Sequence, residues 1–451
     1  MFESKYDAVI IGAGIGGLMT AAGLVQAKKK VLVLEKAAFI GGKYTEIDYK
    51  GYKVTTGAWT NMGKNSHIDR FCRKVGAHVD YITLKQIRKE RGTPGLLGKI
   101  RYKNGEEYLP TSTSNSPFSE SEMEEFSKVM VGLVSKELKG IDVSKNVSVF
   151  QYAKNFTDSD KIIHLLDSLI GIASGLNTKT LPASEYKIIL EDGFGIASGS
   201  FGFPVGGIKS IIDALEKVVV EKGGEIKTRT AVNKILLDGD SATGVQLEHG
   251  ESIYADLIIH NAGPKRLLKL CGRNKFPSSF LKKVDALIPI EAVAIICGLN
   301  KPISEDVPMI ITPDCERIAG IFEPTFFDPN IAPPGKTMID IFAPLKSKNI
   351  KKEIDLAVKD LEDLYPGILD PSNLDFQQNM IFAGDFAAAE GAQTFDQTGD
   401  DRIDPKLPIE NMYLVGAEAV GSGVAADLIP IGVNRALEYI LGSKKWLKVT
   451  I

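Results

Sequence analysis

The sequence predicts an α/β protein: a Rossmann-like domain with an α+β domain inserted into it. Three observations carry that reading. A short apolar strand, Asp7 to Ile11, runs straight into Gly12-Ala13-Gly14-Ile15-Gly16-Gly17 and then into the apolar helical pattern that begins at Leu18. A second apolar strand, Val31 to Leu34, ends on an acid, Glu35. Near the other end of the chain, Met412 to Val415, Gly416-Ala417-Glu418 and a stretch from Ala425 to Leu441 again read as strand, glycine-rich turn and helix.

Strand, Gly-x-Gly-x-x-Gly turn and helix come in the order that a dinucleotide requires. Gly12 permits the tight turn, Gly14 removes the Cβ that would block a diphosphate, and Gly17 lets helix and strand pack closely. The N–H groups of this turn, with Ala13, Ile15 and Gly16 between the glycines, meet the diphosphate at the positive end of the helix dipole. Glu35 falls close to the spacing of a carboxylate on the ribose hydroxyls. It would repel a 2′-phosphate, which disfavours NADP. The turn alone leaves FAD and NAD open. No second Gly-x-Gly-x-x-Gly occurs near 240–262. One tightly held nucleotide is therefore expected, with a diffusible electron acceptor or donor as the other redox partner.

Size and charge narrow the rest. A chain of 451 residues divides into two or three domains. A net charge of −3 leaves no electrostatic footprint for nucleic acid. Lys28-Lys29-Lys30 reads as a solvated helix end. Cys72, Cys271, Cys297 and Cys315 form no Cys-x-x-Cys pair and read as idle thiols of a reducing compartment. His67, His78, His164, His249 and His260 have no metal-ligand spacing, so no metal is expected. No apolar run reaches the roughly 18–20 residues of a membrane span. The first strand begins at the N-terminus, so no targeting peptide is expected. The location reads as cytoplasmic, with peripheral membrane contact left open; composition does not give the oligomeric state.

Residues 1–75, 205–265 and 405–451 are expected to form the nucleotide domain, and 76–204 and 266–404 the substrate domain. In the first part, strands Tyr44–Tyr49 and Tyr52–Thr56 join at Lys50-Gly51. In the insertions, short strands near 100–102 and 107–109 precede helical segments from about 119 to 190. Further strands fall near 292–298 and 337–343, with a helix near 350–364.

Four segments carry a resemblance to a known family. Gly41-Gly42-Lys43-x-Thr45, following Glu35-Lys36, resembles the glycine doublet of flavin amine oxidases and phytoene desaturases, with lysine where arginine is commoner. Gly51-Tyr52-x-Val54-x-x-Gly57, leading to Ala58-Trp59, resembles their next hairpin. Phe203-Pro204-Val205-Gly206-Gly207, Gly224-Glu225-Ile226, Val232-x-x-Ile235 and Gly244-Val245 look like the middle of phytoene desaturases, carotenoid isomerases and retinol saturases. Tyr413-Leu414-Val415-Gly416-Ala417-Glu418 and the turn into Ala426-Asp427-Leu428 resemble the closing flavin motif. The resemblance implies an FAD-binding domain of the glutathione-reductase type. It implies that Gly42, Lys43, Gly57, Ala58 and Trp59 approach the diphosphate and flavin, and that the Val232 backbone meets adenine. It also implies that Glu418 holds ribityl oxygens or diphosphate-bound water, and that Ala426, Asp427 and Leu428 face the flavin N1/O2 edge. A helix N-terminus there would stabilise the anionic reduced ring.

The family chemistry is hydride transfer at flavin N5. The expected reaction is desaturation, saturation or isomerisation at C–C bonds of a hydrophobic substrate, isoprenoid-like or alicyclic. Two alternatives are an amine or amino-acid oxidase, and a lipid carrier without catalysis, like the Rab GDP-dissociation inhibitors. The insertions supply apolar lining: Ile162, Ile163, Leu165, Leu166, Phe201, Phe203, Phe322 and Phe326-Phe327, among others. For the second hydrogen an acid or base is needed. Glu191, Asp192 and Asp427 are the candidates, with His164 on an apolar helix as a weaker one; Trp59, a further candidate catalytic residue, is expected with Tyr44 to flank the flavin or the substrate.

Overall fold

The computed structural model describes residues 6–57, 63–93, 95–109, 116–134, 146–193, 201–423 and 425–447. The chain opens with β1 (Tyr6–Ile11), α1 (Ile15–Gln26) and β2 (Val31–Leu34). The hairpin β3 (Glu46–Tyr49) and β4 (Tyr52–Thr55) follows. Next come α2 (His67–Val75), β5 (Tyr81–Thr83), α3 (Leu84–Arg91), β6 (Gly98–Arg101) and β7 (Glu107–Tyr108). A helical stretch holds α4 (Glu120–Val134), α5 (Val149–Ala153), α6 (Asp160–Ser174) and α7 (Ala183–Ile188), with a π-turn to Gly193. The chain returns through β8 (Gly202–Pro204), α8 (Lys209–Glu221), β9 (Glu225–Lys227), β10 (Val232–Asp238), β11 (Ser241–Leu247) and β12 (Ser252–His260). It goes on through α9 (Pro264–Cys271), α10 (Ser278–Asp285), β13 (Ala292–Leu299), β14 (Met309–Ile311), β15 (Gly320–Phe322) and β16 (Thr337–Pro344). It closes with α11 (Ile350–Leu364), β17 (Leu374–Phe382), β18 (Met412–Leu414), α12 (Ile429–Leu441) and α13 (Ser443–Leu447).

Two large sheets organise these elements. In the first the order is β10-β11-β12-β1-β2-β9, with β18 also on β12. β1 runs parallel to β2 and β12, and β18 runs parallel to β12. Parallel strands covered on both faces are apolar throughout, as Val31–Leu34 is. α1 is buried almost all round, because it lies between the sheet and the helices α8 and α12. Gly23 makes that crossing possible: a Cβ there would lie 2.5 Å from Leu437 Cδ1. The second sheet has the order β17-β13-β16-β15-β14-β6-β7. One of its faces, with Val293, Ile295, Ile339 and Ile341, packs on α11. The other, with Ile296, Phe322 and Met338, joins the same core as α1, α8 and α12.

The expected final helix from Ala425 is divided. Residues Ala425–Leu428 form a 3₁₀ turn, and α12 starts at Ile429 with Pro430 in its first turn. Proline fits there because its missing N–H is not needed. Lys28 does not close a helix in the usual way: α1 ends at Gln26, and Lys28 takes a left-handed φ of 62°. The apolar insertion residues Phe201, Phe203, Phe322, Phe326 and Phe327 form one buried aromatic cluster, with centroids 5.7–6.2 Å apart. All five are buried in the core that joins the two sheets.

Candidate active site

The glycine turn closes on itself. Gly12 has φ 99°, and a Cβ on Gly17 would fall on the Gly12 carbonyl oxygen. Gly14 is the N-cap of α1 and offers no side chain to the helix, nor does the first turn carry an acid. The helix end is thus left to bind an anion through N–H groups and dipole. Glu35 is buried, and its carboxylate accepts from Ala13 N (2.8 Å) and Ala37 N (2.8 Å). These bonds hold the strand-end acid against the turn. Lys36, next in the chain, points to solvent.

The second wall comes from the segment after β2. Gly41 N donates to Ala13 O at 2.7 Å, and Gly42 has φ 61°. A Cβ on Gly42 would lie 3.5 Å from Gly14 Cα, so two glycines face each other across the turn. Thr56 Oγ1 donates to Gly42 O (2.9 Å), and Gly57 rests on the Lys43 backbone. The Lys43 ammonium reaches across to Ala387 O (2.6 Å), 5.6 Å from the Phe386 ring. Ala58 and Trp59 lie outside the described residues. Val232 opens β10 beside a bulge, where its pairing with Leu247 shifts register before Lys234. A bulge frees backbone groups at that point.

The C-terminal motif reaches the same place. Gly416 (φ 118°) follows β18, and its N lies 3.2 Å from where a Gly16 Cβ would be. Glu418 is buried and accepts from Glu390 N at 2.9 Å. Burial, with the Glu418 charge adding to it, raises the pKa of Glu390. Ala426 and Leu428 are buried in the 3₁₀ turn.

Comparison with known proteins decides the family. The profile of flavin-containing amine oxidoreductases matches residues 15–426. The chain belongs to that family. A protein of Methanocaldococcus jannaschii is 28% identical over 436 residues, 96% of this chain and 98% of its own. The chloroplastic prolycopene isomerase of Arabidopsis thaliana is 25% identical over 424 residues, 81% of this chain and 70% of that one. The crystal structure of an oxidoreductase from Methanosarcina mazei aligns with a TM-score of 0.80 at 26% identity, covering 96% of this chain and 99% of that one. With phytoene desaturases among the further relatives, this flavoenzyme lies on the phytoene desaturase and carotenoid isomerase branch of the superfamily. It is an FAD oxidoreductase.

The residues present fit FAD. The bare N-terminus of α1, the paired glycines and the buried Glu35 suit the adenosine diphosphate half. FAD, when bound, supplies the two-electron chemistry. This chain's residues would hold it in the cradle between the two glycine turns.

The candidate acids from sequence have the following partners. Both carboxylate oxygens of Asp427 accept backbone N–H groups, from His67 (3.1 Å) and Ile68 (2.9 Å), at the start of α2. Asp427 therefore caps a helix far away in sequence, where a catalytic acid was expected. Burial raises its pKa, against the pull of the Ile68 N–H. Glu191 is exposed and ion-paired with Lys187 one turn back on the helix surface. That pairing takes it out of the core. The Asp192 side chain and Trp59 lie outside the described residues. His164 is exposed on the outer face of α6.

Three residues that sequence reasoning missed line the same region. Asn261, just past β12, donates from Nδ2 to Gly12 O (3.3 Å). Its amide also fills the space that a Cβ on Gly14 or Gly16 would need. Glu185, at 1% exposure on α7, accepts from Gly423 N (2.8 Å) and Gln393 Nε2 (2.6 Å). Burial raises its pKa. Arg402 is buried and donates to the carbonyls of Ala419 (3.1 Å), Gln397 (2.8 Å), Gly391 (3.1 Å) and Ala417. Burial lowers its pKa, while Glu418 and Glu185 favour its charge. Glycine motifs announce themselves in sequence. A buried Glu that accepts from a backbone N–H far along the chain, or a buried Arg that gathers the carbonyls of its own loop, does not.

Among the described residues no cluster of three His, Cys, Asp or Glu could hold a metal, and no helix is long and apolar enough to cross a membrane.

Proposed function

We propose that this FAD oxidoreductase moves hydrogen at carbon–carbon bonds of a hydrophobic substrate, isoprenoid-like or alicyclic, as a desaturase, saturase or isomerase. The observation that carries the reading is the inner face of the second sheet. Ile296, Phe322 and Met338 are buried there, and Ile172 of α6 lies over Gly320. Such a wall desolvates hydrocarbon readily. The closing loop from Gly416 to Gly423 contains no aromatic residue that could cage an amine. The names of the relatives, prolycopene isomerase and phytoene desaturase, support the same substrate class.

In this reading residues 1–75, 205–265 and 405–451 hold the cofactor, and 76–204 and 266–404 hold the substrate. The cofactor contacts are Gly12 to Gly17, Glu35, Gly42, Lys43, Gly57, Gly416 and Glu418. Electrons pass to or from a diffusible partner. The test is anaerobic. Purified holoenzyme is mixed with phytoene in detergent micelles, with cyclohexanecarbonyl-CoA, and with putrescine, and flavin absorbance is followed. Bleaching by either of the first two, or recovery of absorbance when prereduced enzyme meets an unsaturated analogue, supports C–C chemistry. Bleaching by putrescine alone overturns it.

A further inference from the structure

One ionisable side chain interrupts the apolar inner face. Asp340 lies in the middle of Met338-Ile339-Asp340-Ile341-Phe342 on β16, opposite Ile296 on β13 and Phe322 on β15. Directly opposed residues share a face, so Asp340 looks toward the central core and away from α11. It is 1% exposed. Oδ2 accepts a hydrogen bond from Thr55 Oγ1 at 2.8 Å, and Oδ1 has no partner. A buried carboxyl oxygen without a partner is costly. A purely structural role would be served better by an apolar side chain of similar volume.

Its position supplies a reason for the cost. Thr55 ends β4, and the next residue, Thr56, holds the Gly42 carbonyl of the cofactor cradle. Gly57 then packs on Lys43. Two residues of chain thus connect Asp340's one hydrogen-bond partner to the wall facing Gly14.

We propose that Asp340 is the proton-transfer residue of the reaction, with Thr55 as the positioning residue that orients it. The inference rests on the C–C reading above. In the desaturating direction two C–H bonds break and a C=C bond forms. One hydrogen leaves with its electron pair to FAD, which is reduced. The other leaves as a proton to Oδ1 of ionised Asp340, and its bonding pair becomes the π bond. Saturation runs the same steps in reverse, from protonated Asp340 and reduced FAD.

Burial pushes the Asp340 carboxyl up to about 7, with the Thr55 bond opposing. Near that value a group can both take and give a proton at neutral pH. The other titratable groups on the strands around it are Cys297 on β13, Glu323 after β15, Glu46, Asp48 and Tyr49 on β3, and Tyr52 and Lys53 on β4; Tyr52 donates to Asp375, and Lys53 pairs with Asp48. Cys297 is kept a thiol by burial. Glu323 bonds to Thr337, and Glu46 to the N–H groups of Ile208 and Lys209.

The experiment compares wild-type, Asp340→Asn and Thr55→Val holoenzymes in single-turnover flavin bleaching from pH 5.5 to 8.5, using whichever C–C probe bleaches the wild type. Flavin content and the oxidised spectrum are measured alongside. The wild-type rate is expected to follow one ionisation near 7. Asp340→Asn should lose about 10²-fold or more in rate and lose that ionisation, with flavin content unchanged. Thr55→Val should retain the ionisation, moved upward. If Asp340→Asn keeps the wild-type rate and profile, or if the wild type shows no ionisation near 7, the assignment to Asp340 is wrong. The second outcome is readable even if Asp340→Asn fails to fold. A wild type that no C–C probe bleaches overturns the functional reading, and this inference with it.

Discussion

Asp340 also makes a prediction about stability that needs no substrate. Its carboxyl has an ordinary value of 3.8 and stands at about 7 in the fold. Below pH 4 both folded and unfolded states carry the proton, so there is no penalty. Between about 4 and 7 only the unfolded state ionises, and stability falls as pH rises. Above 7 both are ionised and the deficit levels off. At about 1.4 kcal/mol per pH unit the full deficit is about 4 kcal/mol, taken as an upper bound. Asp340→Asn removes the titration. It keeps an acceptor for Thr55 but leaves a buried amide N–H₂ to be satisfied, a pH-independent cost of about 1–3 kcal/mol. The variant should therefore be less stable than wild type at pH 4.5 and gain on it steadily up to pH 7.5. Glu46 and Glu323, each pushed by burial to about 7, titrate in both proteins and cancel in the difference. Urea midpoints of the holo forms at pH 4.5, 5.5, 6.5 and 7.5 measure this. A difference between the two proteins that stays flat across the range would refute the buried, uncompensated carboxyl.

Three other consequences are open to simple measurement. Gly17→Ala drives a Cβ onto the Gly12 carbonyl oxygen. It should cost about 1–3 kcal/mol and give protein with little flavin, read as the ratio of absorbance at about 450 and 280 nm; a fully yellow variant would mean the turn is not the diphosphate site. Asp427→Ala removes the acceptor for two N–H groups of α2. A loss of about 1–2 kcal/mol in thermal or urea unfolding is expected, and an unchanged midpoint would argue against the capping role. Cys72, Cys271 and Cys297 are buried and Cys315 is half-buried, and burial holds all four thiols above their ordinary range. Native protein at pH 8 should react only slowly with a thiol reagent and show four thiols once unfolded.

The parts legible in sequence were those fixed by local spacing. Gly12, Gly14, Gly17 and Glu35 belong to one βαβ unit whose strand, turn and helix each show a distinct period. The strand at 292–298 and the helix at 350–364 were legible for the same reason. What escaped depended on long-range pairing. Nothing in the neighbourhood of Asp427 in sequence announces that its carboxylate caps α2, about 360 residues earlier. Glu191 stood near a glycine-rich return and reads as acidic machinery in one dimension; in the fold it is one partner of a surface ion pair. Asp340 carried a weak signal, a lone acid in an apolar strand. Only register could tell that it faces inward, and only the hairpin could supply Thr55.

The way Asn261 and Gly416 converge on the first glycine turn bears on biosynthesis. The ribosome delivers Gly12 to Gly17 early, yet the amide that braces this turn and the loop that closes over it emerge hundreds of residues later. Until then α1 exposes the apolar side that α12 will cover. Flavin is therefore expected to bind stably only once both segments have been made, so the yellow colour should follow the pairing of α1 with α12.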